Sequence, residues 1–254
     1  MRTLVAMPVY NEERYVERVL ARVLPHDPHV LVIDDGSTDR TPHLLARHPV
    51  EVIRHAENRG YGRSLIDAFR WAALEEYEWV ITMDCDEQHE PEAIPAFLDA
   101  ARTGDADILS GSRYHPDSPA EDAPPAERRV INRAITGELN DRLGLALTDA
   151  FCGFKAYRTA ALAPLVLDVW GYAFPMQFWV QARAAGLGVR EIPVSLIYND
   201  PNRTFGGPLN HDATRLAHYR EVLHAELIRC SDRLPASALE GVEAPAPSAC
   251  ACCP

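Results

Sequence analysis

Asp84, Asp86 and Gln88 stand two residues apart at the end of the run Val80-Ile-Thr-Met-Asp-Cys-Asp-Glu-Gln-His89. In an extended backbone such residues point the same way, so three oxygen-bearing side chains can aim at one point. Oxygen-only ligation suits Mg2+ or Mn2+ better than zinc, and an ion held by so few protein groups completes its shell with water and substrate phosphate. The same residues also read as a strand ending in an acidic turn, because Asp is a common turn former. Two further clusters could do chemistry: Pro8-Val-Tyr10-Asn-Glu12, and Asp34-Asp35 followed by Gly36 and Ser37.

Each cluster follows a short apolar run that reads as a buried strand: residues 2–7, residues 30–33 and residues 79–83. Between them lie helical patterns. Val16, Val19, Leu20, Val23 and Leu24 repeat at helical spacing, with Asn11 as the expected cap and Glu12 and Glu13 against the helix dipole. Thr41-Pro42 opens a second helix, and residues 50–54 form another strand. Gly60-Tyr-Gly62 opens a third helix, with Leu65, Ile66, Phe69, Ala73 and Leu74 on one face. Apolar strands alternating with amphipathic helices predict an α/β fold: a mostly parallel central sheet with helices on both faces, and ligands at the carboxyl ends of its strands. No Gly-x-Gly-x-x-Gly turn follows the first strand, and no Gly-rich loop ends in Lys and Ser or Thr; both absences tell against a dinucleotide fold and a P-loop nucleotidase.

The chain has 254 residues, 47% of them apolar, enough for one large domain. A formal charge of −12 and a pI near 5.3 argue against a general nucleic-acid or anionic-membrane binder, although a local basic cleft still suits a diphosphate. No apolar run approaches the ~18 residues of a membrane span and no signal peptide precedes the first strand, so the sequence predicts a cytoplasmic protein, with peripheral contact at the inner membrane face still open. Cys85 and Cys152 lie in structured segments, Cys230 late in a helix, and Cys250, Cys252 and Cys253 near the end. That spacing is neither a disulfide framework nor a zinc site.

Met7-Pro-Val-Tyr-Asn-Glu12, Val32-Ile-Asp-Asp-Gly-Ser-Thr-Asp39, Asn58-Arg-Gly-Tyr-Gly62, Met83-Asp-Cys-Asp-Glu-Gln-His89 and Gly111-Ser-Arg-Tyr114 together resemble the successive signatures of family-2 glycosyltransferases with the GT-A fold. Within that family the chain is most similar to the dolichyl- or polyprenyl-phosphate mannosyltransferase branch, over roughly residues 3–210. The resemblance implies an inverting transferase that takes a hexosyl group from a nucleotide-diphosphate sugar. It implies that Pro8, Tyr10, Glu12, Ile33, Asp34 and Asp35 hold base and ribose. It places Asp84, Cys85 and Asp86 beside the diphosphate, with Asp84, Asp86 and Gln88 as ligands of Mg2+ or Mn2+. Arg113 resembles the family's phosphate-side arginine, whose fork grips phosphate oxygens as a lysine cannot.

Further along, residues 115–126 are rich in Pro and acids and read equally as a lid or a linker. A helix over residues 127–144 begins with Arg128 and Arg129. In the polyprenyl-phosphate enzymes such a basic pair is followed by a serine and serves the acceptor phosphate; here Asn132 takes the serine's place. Asp149, before Cys152-Gly153-Phe154, is the candidate base if the acceptor is a hydroxyl, and otherwise a loop brace; a phosphate acceptor needs no base. An inverting transfer has no use for a covalent intermediate, so Cys152 reads as packing. Residues 172–186, with Tyr172, Met176, Phe178, Trp179 and Val180, predict an apolar helix that reads as core or as an aromatic floor for the sugar or acceptor; 189–197 predict a strand and 211–228 a final helix. Arg203 resembles the arginine of a late Arg-x-x-Gly loop that closes on the diphosphate, but the Ser-Lys usual in the mannosyltransferase branch is replaced by Pro208 and Leu209.

The expected organisation is one catalytic domain over residues 1–229, with a nucleotide-binding half to about residue 114 and an acceptor half beyond it. Residues 230–254, rich in Ala, Pro and Cys, are expected to be disordered. The leading expectation is a metal-dependent hexosyltransferase with an unidentified acceptor: lipid phosphate, glycan or small molecule. Its alternatives are a polyprenyl-phosphate mannosyltransferase using GDP-mannose and an inactive nucleotide-sugar-binding protein.

Overall fold

Runs of four to seven residues with almost no polar interruption need cover on both faces, and the computed structural model supplies it. It describes residues 1–27, 29–119, 126–198 and 207–242. Seven strands form one sheet: β1 (Thr3–Val9), β2 (Val30–Asp34), β3 (Glu51–Arg54), β4 (Trp79–Thr82), β5 (Ile108–Ser112), β6 (Lys155–Arg158) and β7 (Val189–Pro193). Their order is β3-β2-β1-β4-β6-β5-β7. All neighbours run parallel except at β6, which is antiparallel to both β4 and β5.

Two apolar cores cover the two faces. One packs α1 (Val16–Val23), α2 (Thr41–Leu45) and α4 (Ile94–Thr103) through Val16, Leu20, Leu45 and Phe97. The other packs α3 (Tyr61–Leu74), α5 (Ala126–Leu143), α7 (Phe174–Ala184) and α8 (Asp212–Arg229) through Leu65, Ile135, Trp179 and Leu223. The short helix α6 (Thr159–Leu162) follows β6.

The α/β architecture matches the expectation, and several local readings are corrected. β6 was not anticipated, because Lys155-Ala-Tyr-Arg158 has too little apolar character to read as a buried strand. Asn11 does not cap α1, which begins at Val16; it sits at φ 57°, and its Oδ1 accepts the amides of Thr38 (2.8 Å) and Asp39 (3.3 Å). β7 stops at Pro193, well short of residue 197. The expected disorder does not begin at residue 230: Ser231–Arg233 and Ala236–Leu239 form single 3-10 turns, Cys230 and Ala238 are fully buried, and Arg142 donates to the carbonyls of Ala238 and Glu240. Apolar contacts with the second core hold this segment, and residues 243–254 lie outside the described residues.

Candidate active site

At the rim where β1, β2, β4 and β5 end, a cavity of about 610 Å3 opens. In open parallel sheets, a crevice forms where neighbouring connections leave in opposite directions, as those after β1, toward β2, and after β4, toward β5, do here. Because β6 runs the other way, its entry end lies on this same rim, and residues 149–154 arrive beside the ends of β4 and β5.

On the β1–β2 side of the cavity, two loops are zipped together. Asn11 N–H donates to Ser37 Oγ (2.9 Å) and Glu12 N–H to Thr41 Oγ1 (2.9 Å), fixing the loop after β1 against the loop after β2. Pro8, Tyr10, Glu12 and Asp35 line the cavity. Asp35 also organises the start of α3: its carboxylate accepts the amides of Arg59 and Gly60, both at 2.8 Å, and lies 2.6 Å from His55 Nδ1. Gly60 is at φ 99°, and a Cβ there would come within 2.5 Å of the Trp170 carbonyl, so only glycine lets the helix start so close to that loop.

Ile33 and Asp34 do not line the cavity. Ile33 is sealed in the second core. Asp34, fully buried, turns its carboxylate onto the Ser37 amide (2.9 Å), with Arg54 Nε 3.2 Å from the other oxygen as an ion pair off hydrogen-bond geometry. Strand alternation gives the reason: consecutive residues cannot all face one ligand.

Asp84, Asp86 and Gln88 all line the cavity, as does Cys85, whose side chain packs in the first core. The turn reverses at Glu87 (φ 61°), bringing the Gln88 amide to 3.0 Å from Asp86 Oδ1. The Gln88 side-chain nitrogen is shielded from solvent with no partner, an unmet bond that suits a site completed by a ligand. Among the described residues no group of three or more His, Cys, Asp or Glu side chains could hold a metal ion. Asp84, Asp86 and Gln88 offer two carboxylates and an amide to the cavity, donor types of the kind Mg2+ or Mn2+ accepts alongside phosphate oxygens and water.

His89, which closes the acidic motif but was given no role from the sequence, sits directly behind this loop. Its Nδ1 accepts the Asp84 amide (2.9 Å), leaving Nε2 as the protonated nitrogen, 3.8 Å from Asp84 Oδ2. Burial, helped by Arg113 and Lys155 and opposed by Asp86, pulls the imidazole down to about 4, so at neutral pH it is an uncharged prop. On the other side is Gly153, where a Cβ would meet the Asp84 carboxylate and the Tyr61 hydroxyl at 2.8 Å. Burial and the Asp84 charge hold the Tyr61 phenol protonated.

Arg113 lines the cavity, while Asp149 lies fully buried behind it. Asp149 accepts from Arg113 Nε (2.7 Å), Arg113 NH2 (3.0 Å), the Arg113 amide (3.2 Å), Asn132 Nδ2 (2.8 Å) and the Phe151 amide (3.1 Å). Although burial opposes ionisation, the Arg113 charge and these bonds outweigh it and bring the carboxyl down to about 2. A weakly basic carboxylate closed off from solvent and engaged by five donors braces Arg113. Glu191 on β7 holds the same loop through the Thr148 amide and hydroxyl and the Asp149 amide (2.7–3.1 Å). Burial raises the Cys152 thiol to about 11, in keeping with packing.

Arg128 lines the cavity with its guanidinium 5.3 Å from the Tyr198 ring centre; Arg129 is exposed and off the cavity. Asn132, in the expected serine's place, donates to Asp149 and accepts from Thr136 Oγ1 (3.0 Å). Arg203 lies outside the described residues. Tyr172, at the head of the aromatic segment, reaches the cavity; sequence reasoning gave no role to Tyr61, Tyr198, Arg215 and Tyr219, all cavity residues brought in by helices and loops remote from the strand-end motifs.

Comparison with known proteins agrees with this arrangement. The model of Glycosyl transferase family 2 matches residues 4–165. An undecaprenyl-phosphate mannosyltransferase of Micrococcus luteus is 34% identical over 209 residues, 78% of this chain and 84% of its own. A polyprenol monophosphomannose synthase of Mycolicibacterium smegmatis is 33% identical, covering 76% of this chain and 77% of that protein. Among solved structures, the glucosyl-3-phosphoglycerate synthase of Mycobacterium tuberculosis in complex with Mn2+, UDP-glucose and phosphoglyceric acid superposes with a TM-score of 0.66 at 22% identity, over 92% of this chain and 80% of that one. The shared architecture is the GT-A fold.

Proposed function

The chain belongs to glycosyl transferase family 2, and from that premise we propose that it transfers a mannosyl group from a nucleotide-diphosphate sugar, GDP-mannose foremost, to a polyprenyl phosphate, with inversion at the anomeric carbon. The observation that carries this reading is the make-up of the cavity wall. Carboxylates and polar loops at the strand ends give way, on α5, α8 and the segment after β7, to Ile131, Leu196, Ile197, Tyr198 and Tyr219, with Arg128 among them. Apolar wall beside a guanidinium suits an amphiphile with a phosphate head better than a glycan, which would call for many hydroxyl partners. The two relatives named for lipid-phosphate mannosyl transfer support it.

In this reading Pro8, Tyr10, Glu12 and Asp35 receive base and ribose, and Arg113, stiffened by Asp149, faces the diphosphate. Asp84, Asp86 and Gln88 would hold Mg2+ or Mn2+, which supplies Lewis-acid stabilisation of the negative charge on the departing diphosphate. An acceptor phosphate oxygen attacks the anomeric carbon from the face opposite the leaving group. The bond to the diphosphate oxygen breaks and its electron pair stays on the nucleoside diphosphate. The nucleophile is already anionic, so no base is needed, which fits an Asp149 committed to Arg113. Among the described residues no helix is long and apolar enough to cross a membrane; a lipid acceptor would bring the protein to the cytoplasmic membrane face as a peripheral enzyme.

Incubation with radiolabelled GDP-mannose, Mn2+ and a short polyprenyl phosphate should place label in the organic phase, and chelation should abolish it. Label that stays aqueous with every lipid phosphate tried would overturn the acceptor assignment.

A further inference from the structure

We infer that His55 is a positioning residue for the donor: its ring bridges Asp35, at the cavity, to Asp67 on α3, and the doubly protonated ring holds the Asp35 carboxylate where the nucleoside meets it. The inference rests on the reading above that Asp35 receives base or ribose, and adds what keeps that carboxylate in place. His55 follows directly after β3, and its backbone amide donates to the Asp34 carbonyl (2.9 Å), tying it to the end of β2. The residue is 7% exposed. Its Nδ1 lies 2.6 Å from Asp35 Oδ1 and its Nε2 3.1 Å from Asp67 Oδ2. Carboxylate oxygens only accept, and a neutral imidazole has a single N–H. One proton therefore leaves one of the two contacts without a hydrogen, whereas two protons make both of them charge-assisted bonds.

The charged groups around the ring are otherwise engaged with one another. On α3, Asp67 also accepts from Arg63 Nε (2.6 Å) and Arg70 NH1 (3.3 Å). Although burial opposes ionisation, Arg63 and then His55 hold the Asp67 carboxyl below its ordinary value. Asp34 is paired with Arg54, and the Arg59 guanidinium lies over the Trp170 ring, 4.8 Å from its centre. What the two ring nitrogens meet is thus one carboxylate each. On the outer side a groove of about 370 Å3, lined by His55 together with Arg59, Arg63 and Arg70, gives the ring a route for proton exchange with solvent.

Asp35 is where the bridge acts on the donor. Its Oδ1 takes His55 and the Arg59 amide, and its Oδ2 takes the Gly60 amide. A carboxylate offers about four acceptor sites, so this arrangement keeps a place on Oδ2 for an N–H of the base or a hydroxyl of the ribose. Without the ring, only the two backbone amides of one loop hold the carboxylate, and its tie to Asp67 is lost. The residue therefore acts on the nucleoside and not on the diphosphate, which meets the cavity at Arg113 and the acidic pair.

The test is calorimetric titration of GDP and of pyrophosphate, each with Mn2+, into wild type, His55→Ala and His55→Asn at pH 6 and pH 8.5. His55→Ala should weaken GDP about 10-fold at pH 6, as expected for losing one bond to a charged group, and change pyrophosphate by less than about twofold. His55→Asn places an amide near the position of Nδ1, so it should recover part of the loss, and its gap from wild type should close at pH 8.5, where the ring has lost its second proton. Equal weakening of GDP and pyrophosphate would make His55 a merely structural residue and overturn the inference, as would GDP bound alike by wild type and His55→Ala, or a gap between wild type and His55→Asn that ignores pH. Wild type that binds pyrophosphate and gains nothing from the nucleoside of GDP or UDP would remove the role given to Asp35 itself, and the inference with it.

Discussion

Asp149 shows how little a residue's type says about its task until its neighbours are known. An aspartate before a cavity loop reads as a base; surrounded by five donors, it is instead what keeps Arg113 rigid. Replacing Asp149 with Asn leaves a buried guanidinium with a neutral partner and should cost about 3 kcal/mol at neutral pH, read by urea denaturation. Its folded pKa of about 2 lies below the ~3.9 of an unfolded chain, so the carboxylate's contribution is complete above roughly pH 4 and is lost as the pH falls toward 2. The stability difference between wild type and variant should therefore narrow between pH 4 and pH 2; a constant gap would assign the loss to packing. His89 and Gly153 act on Asp84 in the same indirect way, one as an amide acceptor and the other by its lack of a side chain. Neither residue alone carries a sequence signal, because each matters only through a contact with a distant segment.

At the scale of elements, the pair α7 and α8 supports the apolar side of the cavity. Glu226 on α8, buried at 4% exposure, accepts from Gln177 Nε2 (2.9 Å) and Gln181 Nε2 (2.7 Å) on α7. Those glutamines in turn hold the segment before α7, through the amides of Val166, Asp168 and Val169. That segment ends in Trp170, whose carbonyl accepts the Arg63 amide at the start of α3. Glu226→Ala strips two buried amides of their acceptor and should cost about 2–3 kcal/mol, seen as a lowered melting temperature. Glu226→Gln, which keeps one acceptor oxygen, should lose less; equal losses would show that the side chain's volume matters more than its bonds. Helix periodicity located α7 and α8 in the sequence and described their apolar faces, but the glutamines read there as ordinary polar positions.

Over the whole molecule, residues from the ends of β1, β2, β4 and β5 and from α5, α7 and α8 line one cavity. Ligand binding to the native state raises its melting point by mass action, about 2.7 kcal/mol at a hundred times Kd. GDP-mannose should thus stabilise the protein more with Mn2+ than without it, and Asp86→Ala should abolish the difference while leaving the shift from nucleotide alone. A variant that still responds fully to Mn2+ would remove Asp86 from the ion's ligands. The sequence by itself determined the alternating strands and helices, the polar clusters at the ends of β1, β2 and β4, and the family, because apolar runs, turn residues and short motifs are local and survive being read one segment at a time. Only the tertiary structure decided that Ile33 and Asp34 turn inward, that a weakly apolar β6 enters antiparallel and delivers Gly153 to Asp84, and that α8 contributes Arg215 and Tyr219 to the cavity. Those outcomes depend on which face a side chain takes and which distant segment fills the space beside it, and both are set by packing across the sheet.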